Sequence, residues 1–206
     1  MFGFDADMIF RIPALLIALT VHEYAHARAA VTLGDPTPRF MGRLTLNPIA
    51  HLDPLGLLML WLFKFGWAKP VPINPGHFKN YRQGVLLVSL AGPVSNMLLA
   101  LVTALIIGML AKLQLLSGDW VKVLWMTYSY NIILAIFNLI PIPPLDGSKV
   151  LSSLLPGRQG QWFDQLEQYG PFVLMALVYI GVIGVITYPL ERGLSYIINT
   201  IVMTIL

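Results

Sequence analysis

Residues 8–26 read MIFRIPALLIALTVHEYAH, a mostly apolar run that ends in the pentad HEYAH at 22–26. A helix places residues i and i+4 on one face, so His22 and His26 can direct two imidazoles at one metal ion. Glu23 projects about 100° around the helix axis from His22 and can lie beside that metal without binding it. Ionisable side chains are costly in a membrane-spanning helix and mark a functional site. The stretch therefore predicts a membrane helix that carries metal-dependent chemistry.

The composition of the whole chain is that of a membrane protein. Of the 206 residues, 57% are hydrophobic and 11% are charged, whereas soluble domains carry about 25% charged residues. The absence of cysteine excludes disulfides and thiolate metal sites, which leaves His, Asp, Glu and water as ligands. The net charge of +3 comes from scattered basic residues, so no nucleic-acid partner is expected. The length suits a single transmembrane domain over 1–206.

Five segments are candidate membrane spans, since a spanning helix needs roughly 20 mostly apolar residues. The apolar stretch within 55–66 is only about 12 residues long, which is typical of a re-entrant or interfacial segment. We predict an all-α polytopic membrane protein with about five to six transmembrane helices, a core at 8–155 and C-terminal helices at 170–206. The predicted spans are 8–33, 84–110, 121–140, 170–187 and the shorter 190–206.

The region between the first two full spans, residues 36–83, has an irregular sequence. Residues 40–48 (FMGRLTLNP) alternate like a short strand, and residues 67–75 (WAKPVPINP) contain prolines that remove backbone donors. Irregular backbone at membrane depth is tolerated where it is buried in protein or lines a watery cavity. We predict a membrane-associated, re-entrant region with short β structure that shapes a pocket. The alternative is an ordinary surface loop with one short span.

A catalytic zinc site with two histidines and a water needs one more protein ligand, which must here be a carboxylate. The other acidic side chains lie at predicted helix ends or in a polar stretch, which leaves Asp53 and Asp146. Asp53 is expected to cap the short helix at 55–66. Asp146 follows the helix-breaking run NLIPIPPL at 138–145, so it lies in a kinked, partly open segment. We predict that Asp146 is the third ligand; the alternative, which is compatible with that role, is that Asp146 caps a helix over 147–155.

Three ligands of one metal must lie at one depth, and this constrains the topology. If residues 36–83 return to the membrane face that they left, Asp146 emerges on the same face as the pentad. A full crossing by 55–66 would put Asp146 and the pentad on opposite faces. On that topology the basic side chains concentrate on one face, which the positive-inside rule makes cytoplasmic. The N-terminus is then outside, and the site is nearer the cytoplasmic face. The basic residues of that face are Arg28, Arg39, Arg43, Lys64, Lys69, Lys79, Arg82, Lys149 and Arg158.

The pentad on a membrane helix, followed by Leu-Asp-Gly at 145–147, resembles the site-2 protease family of intramembrane zinc metalloproteases. GRLTLNP at 42–48, GWAKPVPINP at 66–75 and AGPVSN at 91–96 are similar to its small prokaryotic branch. The resemblance covers roughly residues 14–155. The chain shows no insertion long enough for a PDZ domain and no C-terminal CBS pair, so regulation through such domains is not expected.

The resemblance implies cleavage of transmembrane segments of membrane-protein substrates in the cell membrane, as in regulated intramembrane proteolysis. It implies one Zn²⁺ per chain, bound by His22, His26 and Asp146. Zinc acidifies water and polarises the scissile carbonyl, and Glu23 would take the proton and pass it to the leaving amine. Self-association is left open.

Two asparagines are further candidates, Asn96 by the same resemblance and Asn138 because it precedes the proline break. We predict that Asn96 and Asn138 steady the oxyanion or the substrate backbone. For Asn96 the alternative is an interhelical hydrogen bond, the usual role of a lone buried asparagine. His51 and His77 of the irregular region are expected to be interfacial rather than metal ligands.

Two other functions are alternatives to a protease. A metal or ion transporter would use the pentad and Asp146 as a transit site, but transporters show internal repeats and polar groups along a path. This chain has one polar cluster and no evident repeat. A non-catalytic relative that binds transmembrane helices would have lost a ligand or the base, and none is lost.

Overall fold

The computed structural model describes residues 8–63, 66–155 and 167–206, and the regular structure in this part of the chain is helical. The expected all-α class is thereby confirmed. Of the basic residues used to predict orientation, Lys64 and Arg158 lie outside the described residues. The helices are α1 (Met8–Thr32), α2 (Thr37–Phe40), α3 (Pro54–Phe63), α4 (Tyr81–Lys112), α5 (Trp120–Asn138), α6 (Asp146–Leu154), α7 (Gly170–Tyr179) and α8 (Val182–Ile205).

Three of these helices, α1, α4 and α5, are long and apolar enough to cross a membrane. Together α7 and α8 pass the same test but are bent by 79°, so the described residues contain three spans, or four if the bent pair is one. The boundaries predicted near 187 and 190 are wrong, because the chain turns at Gly181, which has a φ of 81°. Apolar residues continue on both sides of Gly181, so hydropathy does not show the bend.

Helices α1 and α4 pack side by side in opposite directions. His26 contacts Val88, whereas His22 and Ala18, which come earlier in α1, contact Asn96, which comes later in α4. Residues 33–80 therefore begin and end at the same end of this helix pair, the end nearer the pentad. Small buried side chains on both helices allow close helix packing. The fully buried alanines of these two helices are Ala14, Ala18, Ala27, Ala30 and Ala100.

The connection from α1 to α4 is helical turns and extended backbone, and its described residues form no strand. The short β structure predicted at 40–48 is wrong: Pro36 and Pro38 begin the helical turn of α2, and Gly42 has a φ of 67°. One isolated antiparallel bridge pairs Leu52 with Ala68. The prediction that Asp53 caps the short helix is confirmed, because its carboxylate accepts the N–H groups of residues 55 and 56 at 2.8 and 3.0 Å.

Two clusters of buried side chains join the remaining helices to this pair. One lies between α4, α5 and α8, and the other packs the segment after α5 against α7 and α8. The second cluster holds the segment that leads into α6 and so determines where Asp146 lies. The first cluster contains Ala104, Ile107, Tyr128, Ile132 and Ile198; the second contains Ile140, Leu145, Leu174 and Ile183.

Candidate metal centre

The structure brings together the three predicted ligands, His22, His26 and Asp146. The Nε2 atoms of the two histidines are 3.0 Å apart, and each lies 3.2 Å from Oδ2 of Asp146. Ligand atoms around a tetrahedral zinc with bonds of about 2.0–2.1 Å lie roughly 3.3 Å apart. Among the described residues, this is the group of histidine and acidic side chains close enough to bind one metal ion.

Hydrogen bonding on the far side of each imidazole shows that the cluster fits a cation. Nδ1 of His22 lies 2.6 Å from Oδ1 of Asn96, and Nδ1 of His26 lies 2.8 Å from the carbonyl oxygen of Val88. Since these oxygens accept, each Nδ1 carries the proton and each Nε2 presents a lone pair. Oδ2 of Asp146 is buried and has no hydrogen-bond partner. Three unprotonated ligand atoms therefore converge on one point. A cation at that point would bind the two imidazole lone pairs and neutralise the carboxylate.

Two glycines make room for this arrangement. A Cβ on Gly92 of α4 would fall against His26 Nε2 and the ring of His22, in the space that a metal ion would need. A Cβ on Gly147 would collide with the carbonyl oxygens of Leu139 and Ile140. The close approach at Gly147 lets the first turn of α6 fold back onto the end of α5, which brings Asp146 to the histidines.

Asp146 is the first residue of α6 rather than its cap. The N-cap position is Leu145, which makes no side-chain capping bond, and α6 ends at Leu154. The prediction that Asp146 caps a helix over 147–155 is therefore wrong. Its carboxylate faces the two histidines instead of the backbone N–H groups of its own helix.

Glu23, the predicted base, is buried, and its Oε2 accepts the backbone N–H of Val71 at 3.2 Å. The segment around Val71 is also tied to Arg43, a buried residue whose guanidinium donates to the carbonyl of Lys69. Burial lowers the pKa of Arg43, and the charge of Glu23 opposes that shift. The proline-rich extended segment is thereby held over the carboxylate that follows His22.

A second polar centre anchors the same segment to the end of α1. The carboxylate of Asp35 is fully buried and accepts from the N–H of Thr37 at 3.0 Å, from the N–H of Asn74 at 2.7 Å and from Nδ1 of His77 at 2.9 Å. Burial raises the pKa of Asp35, but hydrogen bonds from the Thr37 hydroxyl and from these three groups outweigh it and hold the pKa below its usual value. His77 is thus bound to Asp35, and His51, expected at the interface, is 1% exposed and bonds to the Thr45 carbonyl.

The two candidate asparagines have different surroundings. Asn96 is 0% exposed, and its Nδ2 donates to the Ala18 carbonyl at 3.1 Å and to Oδ1 of Asn131 at 2.7 Å. Both amide hydrogens of Asn96 are thus donated to groups inside the bundle, which leaves none for an oxyanion. The geometry instead lets its oxygen hold the ring of His22. Asn138 is half-buried and donates to the Leu134 carbonyl of its own helix at 3.0 Å. The described contacts do not connect it to the metal cluster.

Asn131 of α5 has no part in the sequence predictions, yet it is also fully buried. The signal that singled out Asn96, a lone amide within an apolar helix, applies equally to Asn131. Its contact with Asn96 depends on how α4 and α5 pack, which the sequence alone does not reveal.

A His–His–Asp cluster between apolar helices defines a candidate metal-binding protein of the membrane. Over residues 106–181 the chain matches the model of peptidase family M50. It is 37% identical over 184 residues to the Bacillus subtilis protein named "Putative zinc metalloprotease YwhC", covering 86% of this chain and 83% of that protein. No solved structure matches the chain significantly.

Mycobacterial proteins give the same family. The chain is 32% identical over 176 residues to "Putative zinc metalloprotease Rip2" of Mycobacterium tuberculosis, covering 81% of this chain and 65% of that protein. The chain thus spans about two thirds of the length of this longer relative. The chain belongs to peptidase family M50, the site-2 protease family of zinc metalloproteases, which confirms the resemblance seen in the sequence.

Proposed function

We propose that this protein is an intramembrane zinc metalloendopeptidase that hydrolyses a peptide bond in or near the transmembrane segment of membrane-protein substrates, as in regulated intramembrane proteolysis. The observation that carries the proposal is the convergence of three unprotonated ligand atoms from His22, His26 and Asp146, with Glu23 next in sequence to the first. One Zn²⁺ per chain matches this donor set of two imidazoles and one carboxylate. The names of the relatives support the same metal.

Each residue of the site has its own role in the proposed reaction. His22, His26 and Asp146 would bind the zinc, which supplies Lewis-acid polarisation of the scissile carbonyl and a lowered pKa of water. Glu23 accepts the proton of the attacking water and delivers it to the leaving amine. The Val71 N–H binds one oxygen of Glu23 and leaves the other for the proton transfer.

A substrate helix must unwind before this chemistry, because its peptide bonds are shielded by their own hydrogen bonding. We propose that the extended segment 68–75 pairs with the unwound substrate by β-addition. The segment already pairs with the chain on one side, through the Leu52–Ala68 bridge and the Lys69 N–H to His51 oxygen bond of 2.9 Å. Charge substitutions in 68–75 should abolish cleavage with zinc retained; unchanged cleavage would exclude this role.

We propose that the protein lies in the cell membrane with five to six spans and with residues 36–83 as a re-entrant region. The N-terminus is then outside, and the site is nearer the cytoplasmic face. The antiparallel packing of α1 and α4, which puts 33–80 at the pentad's end of the pair, supports this topology. The chain has no cysteine, so single cysteines report orientation cleanly. An impermeant thiol reagent should label Lys79→Cys only from the cytoplasmic side and Leu115→Cys only from outside. The reverse pattern would refute the orientation.

The test of the function is cleavage of a transmembrane peptide by the purified protein in detergent or liposomes. Glu23→Gln should retain zinc and lose cleavage, whereas His22→Ala should lose both. Glu191→Gln, which removes a carboxylate on α8, is the matched control and should cleave normally. Efficient cleavage by Glu23→Gln would refute the assigned base. Because Glu23→Gln should still bind substrate, a pull-down with it identifies the natural partners and shows whether the protein self-associates.

A further inference from the structure

Asn131 lies in α5, where its side chain is fully buried and the proposed chemistry does not use it. It meets the equally buried Asn96 of α4, with Oδ1 and Nδ2 2.7 Å apart. A buried amide is costly unless its donors and acceptors are paired. Two such amides between apolar helices therefore need a complete set of partners, and those partners fix which way each amide points.

The backbone of α5 determines the orientation of Asn131. The carbonyl of Thr127 can only accept, so the atom of Asn131 that lies 2.7 Å from it must be the amide nitrogen. Oδ1 of Asn131 then faces Asn96 and accepts from its Nδ2.

The orientation of Asn96 follows from the same argument. Its Nδ2 donates to Oδ1 of Asn131 and to the carbonyl of Ala18. If the amide were turned over, its oxygen would face two acceptors, so the oxygen must instead face His22. Nδ1 of His22, 2.6 Å from that oxygen, therefore carries a proton. Nε2 is left with the lone pair that a metal ion requires.

We propose that Asn131 is a positioning residue for the metal centre and that it acts on His22 through Asn96; the metal itself rests on the proposed function. The three groups, Asn131, Asn96 and Nδ1 of His22, form an amide relay across α5, α4 and α1. The Thr127 carbonyl fixes the orientation of Asn131, and Asn131 in turn fixes the orientation of Asn96. The oxygen of Asn96 then determines which nitrogen of His22, on another helix, carries the proton. His26 needs no relay, because its Nδ1 bonds directly to the Val88 carbonyl at 2.8 Å.

Zinc affinity tests the relay in the purified full chain, by competition with a chromophoric chelator in detergent. Asn131→Leu keeps the size of the side chain and removes its amide. It should weaken zinc binding by roughly 10–100-fold, the usual cost of losing an outer-shell partner. Asn96→Leu should weaken it at least as much, and the double variant should equal Asn96→Leu alone, since Asn131 acts through Asn96. Normal zinc affinity in Asn131→Leu, or additive losses in the double variant, would overturn the proposal.

The matched control is Thr103→Val on α4. It removes a buried hydroxyl that bonds to the Leu99 carbonyl at 2.7 Å and has no part in the relay. Its zinc affinity should be that of the wild type, and a loss equal to that of Asn131→Leu would indicate a packing effect and overturn the relay. If Asn131→Leu does not accumulate as a folded protein, Asn131→Ala removes the same amide without bulk and carries the same expectations.

The tautomer of His22 gives a readout that does not need the metal. The chain has only four histidines, so ¹⁵N-histidine labelling of the zinc-free protein gives few signals. In the wild type His22 should show the Nδ1–H tautomer, and in Asn131→Leu a mixture; an unchanged tautomer would overturn the relay. A wild type that binds no zinc would refute the proposed function, and the tautomer would still decide the relay. If the wild type binds zinc and cleaves substrate, and Asn131→Leu does both equally well, the relay alone would be refuted.

Discussion

The backbone N–H of Val71 donates to the carboxylate of Glu23 at 3.2 Å, across 48 residues of sequence. Val71 is itself buried, and Arg43 binds the carbonyl of Lys69 two residues earlier. The proposed base and the extended segment therefore form one hydrogen-bonded unit. Changes in the segment should alter the chemistry without changing any metal ligand.

Val71→Pro should lower the rate of cleavage by about tenfold or more, because a hydrogen bond to a charged group contributes about 1.5–3 kcal/mol. Proline removes the N–H while suiting a position already flanked by Pro70 and Pro72. Val71→Ala keeps the N–H and is the control. Zinc content and kcat should be measured together; Val71→Pro cleaving as fast as Val71→Ala would show that the bond does not orient Glu23.

Gly92→Ala should abolish zinc binding and leave the helices intact. The added methyl would occupy the space between His22 and His26, so the loss should exceed the roughly 10–100-fold expected for an outer-shell partner. Alanine favours a helix over glycine by about 1 kcal/mol, so thermal stability without zinc should not fall. Gly108→Ala in the same helix meets only flexible ends of Val202 and Leu206 and should bind zinc normally. Normal zinc affinity in Gly92→Ala would place the metal elsewhere.

Gly147→Ala should weaken zinc binding by displacing Asp146 rather than by filling the site. Its methyl would collide with the carbonyl oxygens of Leu139 and Ile140, which cannot move without disturbing the end of α5. The control is Gly193→Ala on α8, where nothing lies within 4 Å of the added carbon. Chelator competition and circular dichroism should show a weaker site in a helical protein. Equal zinc affinity in the two variants would contradict the role given to this close approach.

Asp35 makes the stability of the α1–α4 connection depend on pH. Its pKa in the folded protein is below the unfolded value of about 3.9, so the unfolded state binds more protons as the pH falls. The stabilisation is complete above pH 4 to 5 and is lost as the pH falls through the lower, folded pKa. Asp35→Asn should therefore lower the Tm at neutral pH, and the difference from wild type should shrink in acid. A Tm difference between Asp35→Asn and wild type that stays constant from neutral pH into acid would refute the linkage.

The sequence was sufficient to find the candidate metal ligands because local rules determine much of their placement. Two histidines at i and i+4 share a face of any helix, and the lack of cysteine restricted the third ligand to a carboxylate. The helix-breaking prolines before Asp146 then favoured it over Asp53, and it does lie 3.2 Å from both Nε2 atoms. The helical class and the existence of the first three spans followed from apolar runs of sufficient length.

Features that depend on contacts between distant segments were not predictable. Alternation at 40–48 suggested a strand, but prolines 36 and 38 and the buried carboxylate of Asp35 impose helical turns just before it. The role of Asn96 depends on which atoms face it from α1 and α5, and Asn131 becomes significant only through that packing. The bend at Gly181 is set by one backbone conformation within a continuous apolar sequence.

The distance in sequence between His26 and Asp146, about 120 residues, has a consequence for biogenesis. While the chain is being synthesised, the pentad enters the membrane long before its third ligand exists, and α4 and α5 must be in place before Asp146 can reach it. A partly made chain therefore cannot hold the complete metal centre. Zinc loading of the complete candidate site would therefore come at a late step of membrane insertion.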